Sequence, residues 1–269
     1  MIAAAPFAAT PRLGTAPDQP PTVLRCVGLV KRFGGITATQ NVSLDLRQGA
    51  RHALIGPNGA GKTTLINLLT GVLPPTSGRI ELEGRDISSL AVHRRVRLGL
   101  VRTFQINQLF AALTPLQSVA IAVAERRGAG FGIWRPLAAR RDIADEAAAL
   151  LEQFGLKSVM EETTAVLPYG KRRLLEIAIA LAAQPRVLLL DEPVAGVPDA
   201  DRDEILETVG RLPAEVSVLL IEHDMDLVFS FARTISVLVN GALLVEGPAV
   251  DIARDPRVRA VYLGESFDG

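Results

Sequence analysis

Apolar and polar positions along the chain follow two different rhythms, and the changes of rhythm mark its elements. The stretches Leu24 to Val30 and Val42 to Leu46 alternate with a period of two and are separated by Gly34-Gly35 and Gln48-Gly49, which predicts short antiparallel strands. Ala53 to Ile55 is a short apolar run that reads as a buried strand; glycines at 56, 59 and 61 and an apolar helix from Lys62 to Thr70 follow it. Gly78 to Gly84 alternates again as a half-exposed strand. From about Ala91 to Leu181 the texture turns helical. Ile143, Ala147, Leu150, Leu151 and Phe154 recur at helical spacing, and Leu174, Ile177, Ala178 and Leu181 line one face of a helix that stops before Pro185. A glycine-rich break at 128–132, with the single tryptophan at 134, interrupts this region. Val187 to Leu190 and Val216 to Ile221 are apolar runs of strand length. Ile235 to Val239 and Ala242 to Val245 flank Asn240-Gly241, a pair suited to the primed two-residue turn, and short helices over 250–254 and 257–263 follow. The pattern predicts an α/β core with a mainly helical lobe inserted at about 91–181.

Composition narrows this only slightly. A chain of 269 residues, 48% of them apolar, buries a sizeable core and suits one large α/β domain or one domain with an inserted lobe. Lys plus Arg equals Asp plus Glu, 29 each, which argues against a broad nucleic-acid-binding surface. The lone cysteine, Cys26, allows no intrachain disulfide, fits a reducing cytosol and reads as a small buried apolar residue. Residues 1–22 are rich in Ala, Pro and Thr, without the basic start or apolar core of a signal peptide, and read as a disordered leader. No apolar run reaches the ~18 residues of a membrane span, so any membrane connection runs through a partner.

The candidate chemistry gathers where strands end. Gly56-Pro57-Asn58-Gly59-Ala60-Gly61-Lys62-Thr63-Thr64 fits the pattern of a phosphate-binding loop. Unpaired backbone N–H groups and a helix N-terminus face a polyphosphate, Lys62 reaches the β/γ-phosphates and Thr63 offers a hydroxyl to Mg²⁺. Asp191 and Glu192 close the run from Val187. A buried strand would deliver them to its carboxyl end, Asp191 toward Mg²⁺ and Glu192 toward an attacking water. Paired acids also occur as a solvated turn, but a phosphate loop in the same chain favours the catalytic reading. Other residues leave alternatives open on their own. Phe33 stacks on a flat base or simply packs, Gln105 offers a carbonyl to a metal or water or is merely solvated, and His223 holds a γ-phosphate or water or is structural. Lys171 to Arg173 open a helix where its dipole prefers anions, which points to a phosphate there, a solvated basic turn being the alternative.

These landmarks in this order resemble the nucleotide-binding subunit of ATP-binding cassette transporters from about Val23 to Glu265. The resemblance implies a P-loop ATPase core with a mainly parallel sheet, an N-terminal antiparallel β subdomain and the inserted helical subdomain, binding ATP and Mg²⁺. It makes Phe33 the adenine-stacking aromatic, Gly56 to Thr64 the Walker A loop, Gln105 the Q-loop glutamine and metal ligand, Asp191 and Glu192 the Walker B pair, and His223 the switch histidine. Leu167-Pro168-Tyr169-Gly170-Lys171 occupies the signature position, which serves the opposite subunit's ATP. Arg102-Thr103-Phe104-Gln105 followed by Leu109-Phe110, the Tyr-Gly signature, Ala195-Gly196 and terminal Tyr262 to Glu265 are similar to the larger ATPase of branched-chain amino acid importers. The resemblance further implies a second ATPase subunit, two membrane permeases, a periplasmic or extracellular solute-binding protein acting indirectly, and a peripheral position on the cytoplasmic face of the inner membrane. Importers of urea and short amides, and soluble cassette ATPases such as those of iron–sulfur cluster assembly, share these motifs.

Two departures stand out. The signature has Pro168 where serine is usual and Lys171 where glutamine is usual, and the segment after Asp191-Glu192 has Pro198 where an acid or amide is usual, with Asp199 one place later. A proline offers neither a hydroxyl nor an N–H. Both losses fall on groups that act on the partner's nucleotide, so the resemblance implies a heterodimer with unequal sites more readily than a homodimer.

Overall fold

A computed structural model describes residues 20–103, 109–128 and 140–263, except the side chains of Asp199 and Leu263. Strands β1 (Thr22–Phe33) and β2 (Ile36–Arg47) form an antiparallel hairpin; β4 (Ser77–Leu82) pairs with the other side of β1 and β5 (Arg85–Asp86) with β4. The second sheet has six strands in the order β10 (Ala242–Pro248), β9 (Thr234–Val239), β3 (Arg51–Ile55), β8 (Ser217–Ile221), β7 (Val187–Asp191), β6 (Leu100–Arg102). All its neighbours run parallel except the β9–β10 hairpin, where Asn240 and Gly241 both take positive φ, as a primed turn requires.

Helices α1 (Lys62–Thr70) and α2 (Val92–Arg97) precede β6. Helices α3 (Pro115–Arg126), α4 (Arg141–Gln153) and α5 (Tyr169–Ala182) pack together, and α6 (Asp199–Gly210) and α7 (Met225–Phe231) alternate with the last parallel strands. One buried cluster joins α3, α4 and α5 to β7 and β8; another fills the space between the antiparallel sheet, α1 and β3. Cys26 lies in the latter, where burial pushes its thiol up to about 12 and leaves it unreactive. Helix α3 has a full capping box, Thr114 with Gln117, a start signal present in the sequence that periodicity alone passes over.

Two sequence expectations are corrected. The region 91–181 is not helical throughout, because after α2 the residues Leu100 to Arg102 form the edge strand beside β7. Three residues are too few to show a period. Of the stretch read as a leader, Thr22 pairs with Arg47 and so belongs to the sheet, and the carbonyl of Pro21 accepts the Gln48 N–H at 2.9 Å just before it; residues 1–19 lie outside the described residues.

A polar chain crosses the core behind β3. Ser236 Oγ donates to Glu246 Oε2 at 2.8 Å and lies 2.8 Å from His52 Nε2. The serine proton is spent on the carboxylate, so His52 must donate from Nε2 and is held as that neutral tautomer. Burial pushes its pKa down to about 4, whereas an unfolded chain takes up a proton near pH ~6.5. The stability from this group is therefore full above about pH 6.5 and is lost as pH falls toward 4, by about 2 kcal/mol at pH 5. Urea unfolding at pH 7 and pH 5 should show that loss in the wild type and a smaller one in His52→Gln.

Candidate nucleotide site

Strand β3 ends at Ile55, and the loop that follows is wedged at Gly56 and Gly61 between neighbours that permit no side chain there. A Cβ on Gly56 would fall 2.1 Å from the Leu238 carbonyl oxygen of β9, and one on Gly61, at φ 99°, would fall 2.5 Å from that of Ala38 in β2. The β9–β10 turn closes against the loop: the Gly241 N–H donates to the Ala60 carbonyl at 2.9 Å, and the Gly241 carbonyl accepts from the Gln40 N–H at 2.6 Å. Asn58, Gly59 and Thr63 are exposed, so the concave side faces outward. Lys62 is buried and folds back onto its own loop, donating to the carbonyls of Gly56 and Pro57.

The acids lie level with this loop. Leu54 of β3 pairs with Ile221 of β8, and Ile221 with Asp191 of β7. At the usual strand spacing, the end of β7 sits roughly 10 Å from that of β3, a triphosphate's reach. Asp191 is buried, and its Oδ2 accepts from Arg102 Nη2 at 2.5 Å, while Arg102 Nη1 donates to Asn67 Oδ1 of α1 at 2.7 Å. Glu192 turns out of the strand at φ 46°, a left-handed backbone that L residues rarely adopt. Its Oε1 lies 3.7 Å from Nδ1 of His223, an exposed ring at the end of β8. The neighbouring Glu222 is buried, and burial raises its pKa.

The cations that open α5 all have partners within the chain. Arg173 points inward: Nε donates to the Pro193 carbonyl at 2.8 Å, Nη2 to those of Asp191 and Glu192 at 2.9 and 2.7 Å, and Nη1 pairs with Glu176 Oε2 at 2.5 Å. Arg172 bonds the Leu167 and Ala165 carbonyls, and Lys171 pairs with Glu204 of α6 at 2.7 Å. Of the three, Arg173 holds the turn at the end of β7. Polarity alone could not show this, since an inward arginine and a phosphate-binding one look alike in a sequence.

Among the signature residues, Leu167 is buried and Tyr169 Oη donates to the Ala195 carbonyl at 3.0 Å. Gly170 packs so closely on α6 that a Cβ would fall 2.9 Å from that of Asp201. Pro168 and Pro198 each stand at the N-cap of a helix, α5 and α6, without a side-chain acceptor for its orphan N–H groups. Phe33 projects from the β1–β2 turn, about half exposed, with Lys31 Nζ 5.1 Å from the ring centre. Gln105 lies outside the described residues.

Residues 39–195 match the family described as ABC transporter. The chain belongs to the ABC transporter family. Residues 242–268 match a second description, branched-chain amino acid ATP-binding cassette transporter. Over 251 residues the chain is 39% identical to the high-affinity branched-chain amino acid transport ATP-binding protein BraF of Pseudomonas aeruginosa, covering 91% of this chain and 98% of BraF. It is 39% identical over 246 residues to LivG of Escherichia coli, of the same description, covering 89% and 96%. A crystal structure of an ABC transporter's ATP-binding cassette in its ADP conformation superposes with a TM-score of 0.78 at 31% identity, covering 90% of this chain and 99% of that one. Nucleotide binding and ATP hydrolysis follow from this membership.

Within this ABC ATPase the donor set suits a magnesium nucleotide. Among the described residues no group of three or more His, Cys, Asp or Glu could cage a metal alone. A hydroxyl and a single carboxylate, Thr63 and Asp191, instead match an ion that keeps its waters and leans on phosphate. Beside the site, a groove of about 820 Å³ opens between β6, α3 and α5, lined by Val101, Arg102, Leu109, Phe110, Ile121 and Glu176 among others, with Phe110 well exposed.

Proposed function

We propose that the chain is the ATP-hydrolysing subunit of an importer and energises uptake of branched-chain amino acids through partner membrane permeases. The observation that carries the chemistry is the common level of the Gly56–Thr64 loop and the Asp191-Glu192 strand end. In this reading the loop amides and Lys62 hold the phosphates, Phe33 stacks on the base, and Thr63 and Asp191, with Gln105, hold Mg²⁺. That ion, when bound, offsets phosphate charge. Glu192 takes a proton from the attacking water, and His223 orients Glu192 or the γ-phosphate. Glu192 therefore works from a backbone that fixes its direction.

The solute rests on the match at residues 242–268 and on the relatives' descriptions. Among the described residues no helix is long and apolar enough to cross a membrane. Transport thus needs permeases, and the apolar groove beside β6 is the surface that suits their docking segment, on the cytoplasmic face of the membrane. A solute-binding protein on the other side supplies the substrate.

Pro168 and Pro198 favour a heterodimer. Neither residue has a hydroxyl or N–H for a partner's nucleotide, and Lys171 is engaged by Glu204, which removes it as a substitute. The test is to tag the chain in its native host, recover it from detergent-solubilised membranes with Mg-ATP, and identify the co-purifying chains. Two different polytopic proteins and a second, smaller cassette are the expected result. Recovery from the soluble fraction alone, with soluble partners, overturns the importer; recovery of only a second copy of this chain with the permeases overturns the heterodimer.

A further inference from the structure

The Asp191 carboxylate already has a cation on it. Its side chain is 3% exposed and that of Arg102 10%, and the 2.5 Å contact between them joins the tip of β7 to the edge strand β6. A buried carboxylate without a compensating charge is costly, and removing one member of such a pair strands the other. Lys62, the cation of the loop itself, is engaged on the carbonyls of Gly56 and Pro57. Arg102 therefore supplies the positive charge that faces Asp191, and it also ties in Asn67 on the helix that follows the loop.

A divalent ion arriving at Asp191 with the nucleotide brings a second positive charge to the same carboxylate. Guanidinium and metal repel each other, and the carboxylate cannot serve both fully. Arg102 has somewhere to go, because its side chain also lines the groove of about 820 Å³ between β6, α3 and α5.

We propose that Arg102 is a placeholder counter-ion: its guanidinium neutralises Asp191 until the metal nucleotide binds and is then exchanged for the divalent cation, moving toward the groove. This rests on the reading of Asp191 as a magnesium-binding residue. Arg102 is thus a positioning residue whose exchange weakens metal affinity, and a permease segment seated in the groove occupies the path of the displaced side chain. Metal occupancy and docking then act on one side chain.

The test titrates Mg²⁺ into the full-length protein at fixed ATP and follows nucleotide binding and melting temperature. The comparison is of wild type with Arg102→Met, which keeps bulk without charge, and Arg102→Lys, which keeps charge. Without metal, the Met variant should melt below the wild type, and its Mg²⁺ midpoint should fall by roughly tenfold, the equivalent of one ~1.4 kcal/mol interaction lost to competition. The Lys variant should stay within about threefold of the wild type, since a charge remains to compete. An unchanged or raised midpoint in the Met variant overturns the exchange. The absence of any Mg²⁺ effect on ATP binding in the wild type overturns the magnesium reading beneath it as well. Should the Met variant not fold, the wild type decides the matter: the Arg102 Nε–H resonance, assigned by its loss in Arg102→Lys, should shift with Mg-ADP and not with ADP in EDTA. No difference between those two spectra overturns the proposal.

Discussion

Glu192→Gln should bind ATP and barely hydrolyse it. The amide keeps the shape and the hydrogen bonding of the side chain but cannot take a proton from water, and loss of a positioned general base lowers turnover by about 10²–10⁴-fold. Phosphate release under saturating Mg-ATP, together with the nucleotide retained after rapid gel filtration, checks both halves. Turnover within tenfold of wild type would remove Glu192 from the chemistry. Its backbone adds a second expectation. At φ 46° this residue is strained as a glutamate and relaxed as a glycine. Glu192→Gly should therefore be as inactive as the glutamine variant yet lose no stability, a pairing that marks the strain as serving function.

Arg173→Met should be the most destabilising single change near the site. The guanidinium is buried, donates to three consecutive carbonyls from the end of β7 onward and pairs with Glu176, itself mostly buried. Burial already raises the Glu176 pKa, and the arginine is what opposes that rise. Without it a carboxyl group and three carbonyl oxygens lose their partner together, and breaking a buried pair in this way costs about 3–5 kcal/mol. Urea unfolding should show this loss, and Glu176→Gln added to Arg173→Met should recover part of it because no charge is then stranded. Additive losses in the double variant would mean that the pair does not act as one unit.

Much of this was legible in the residues. Glycine spacing and strand-length apolar runs located the loop, the acids and the β9–β10 hairpin, because these depend on local rules: where φ must be positive, and which runs are too short to be helices. What stayed hidden depends on direction. Arg102 carries no periodic signal and sits in a strand of three residues, so nothing in the sequence aims it at Asp191 rather than at solvent. Arg173 was visible as a charge, but whether a cation at a helix start faces out to a phosphate or in to carbonyls is decided by the turn after β7, some 20 residues on. The same limit applies to His52, whose burial follows from β3 lying between two other strands.

That position of β3 has a consequence for how the chain is made. The strand leading into the nucleotide loop is flanked by β8 and β9, and its contacts there, such as Arg51 with Val216 and His52 with Ser236, join residues 165 and 184 positions apart. During synthesis the loop is made well before the two strands that flank β3, and waits for them. A nascent chain halted before Ser217 contains every residue of the loop and neither of the strands that flank β3. The loop thus takes its shape only once β8 and β9 exist, and until then both edges of β3 stay unpaired.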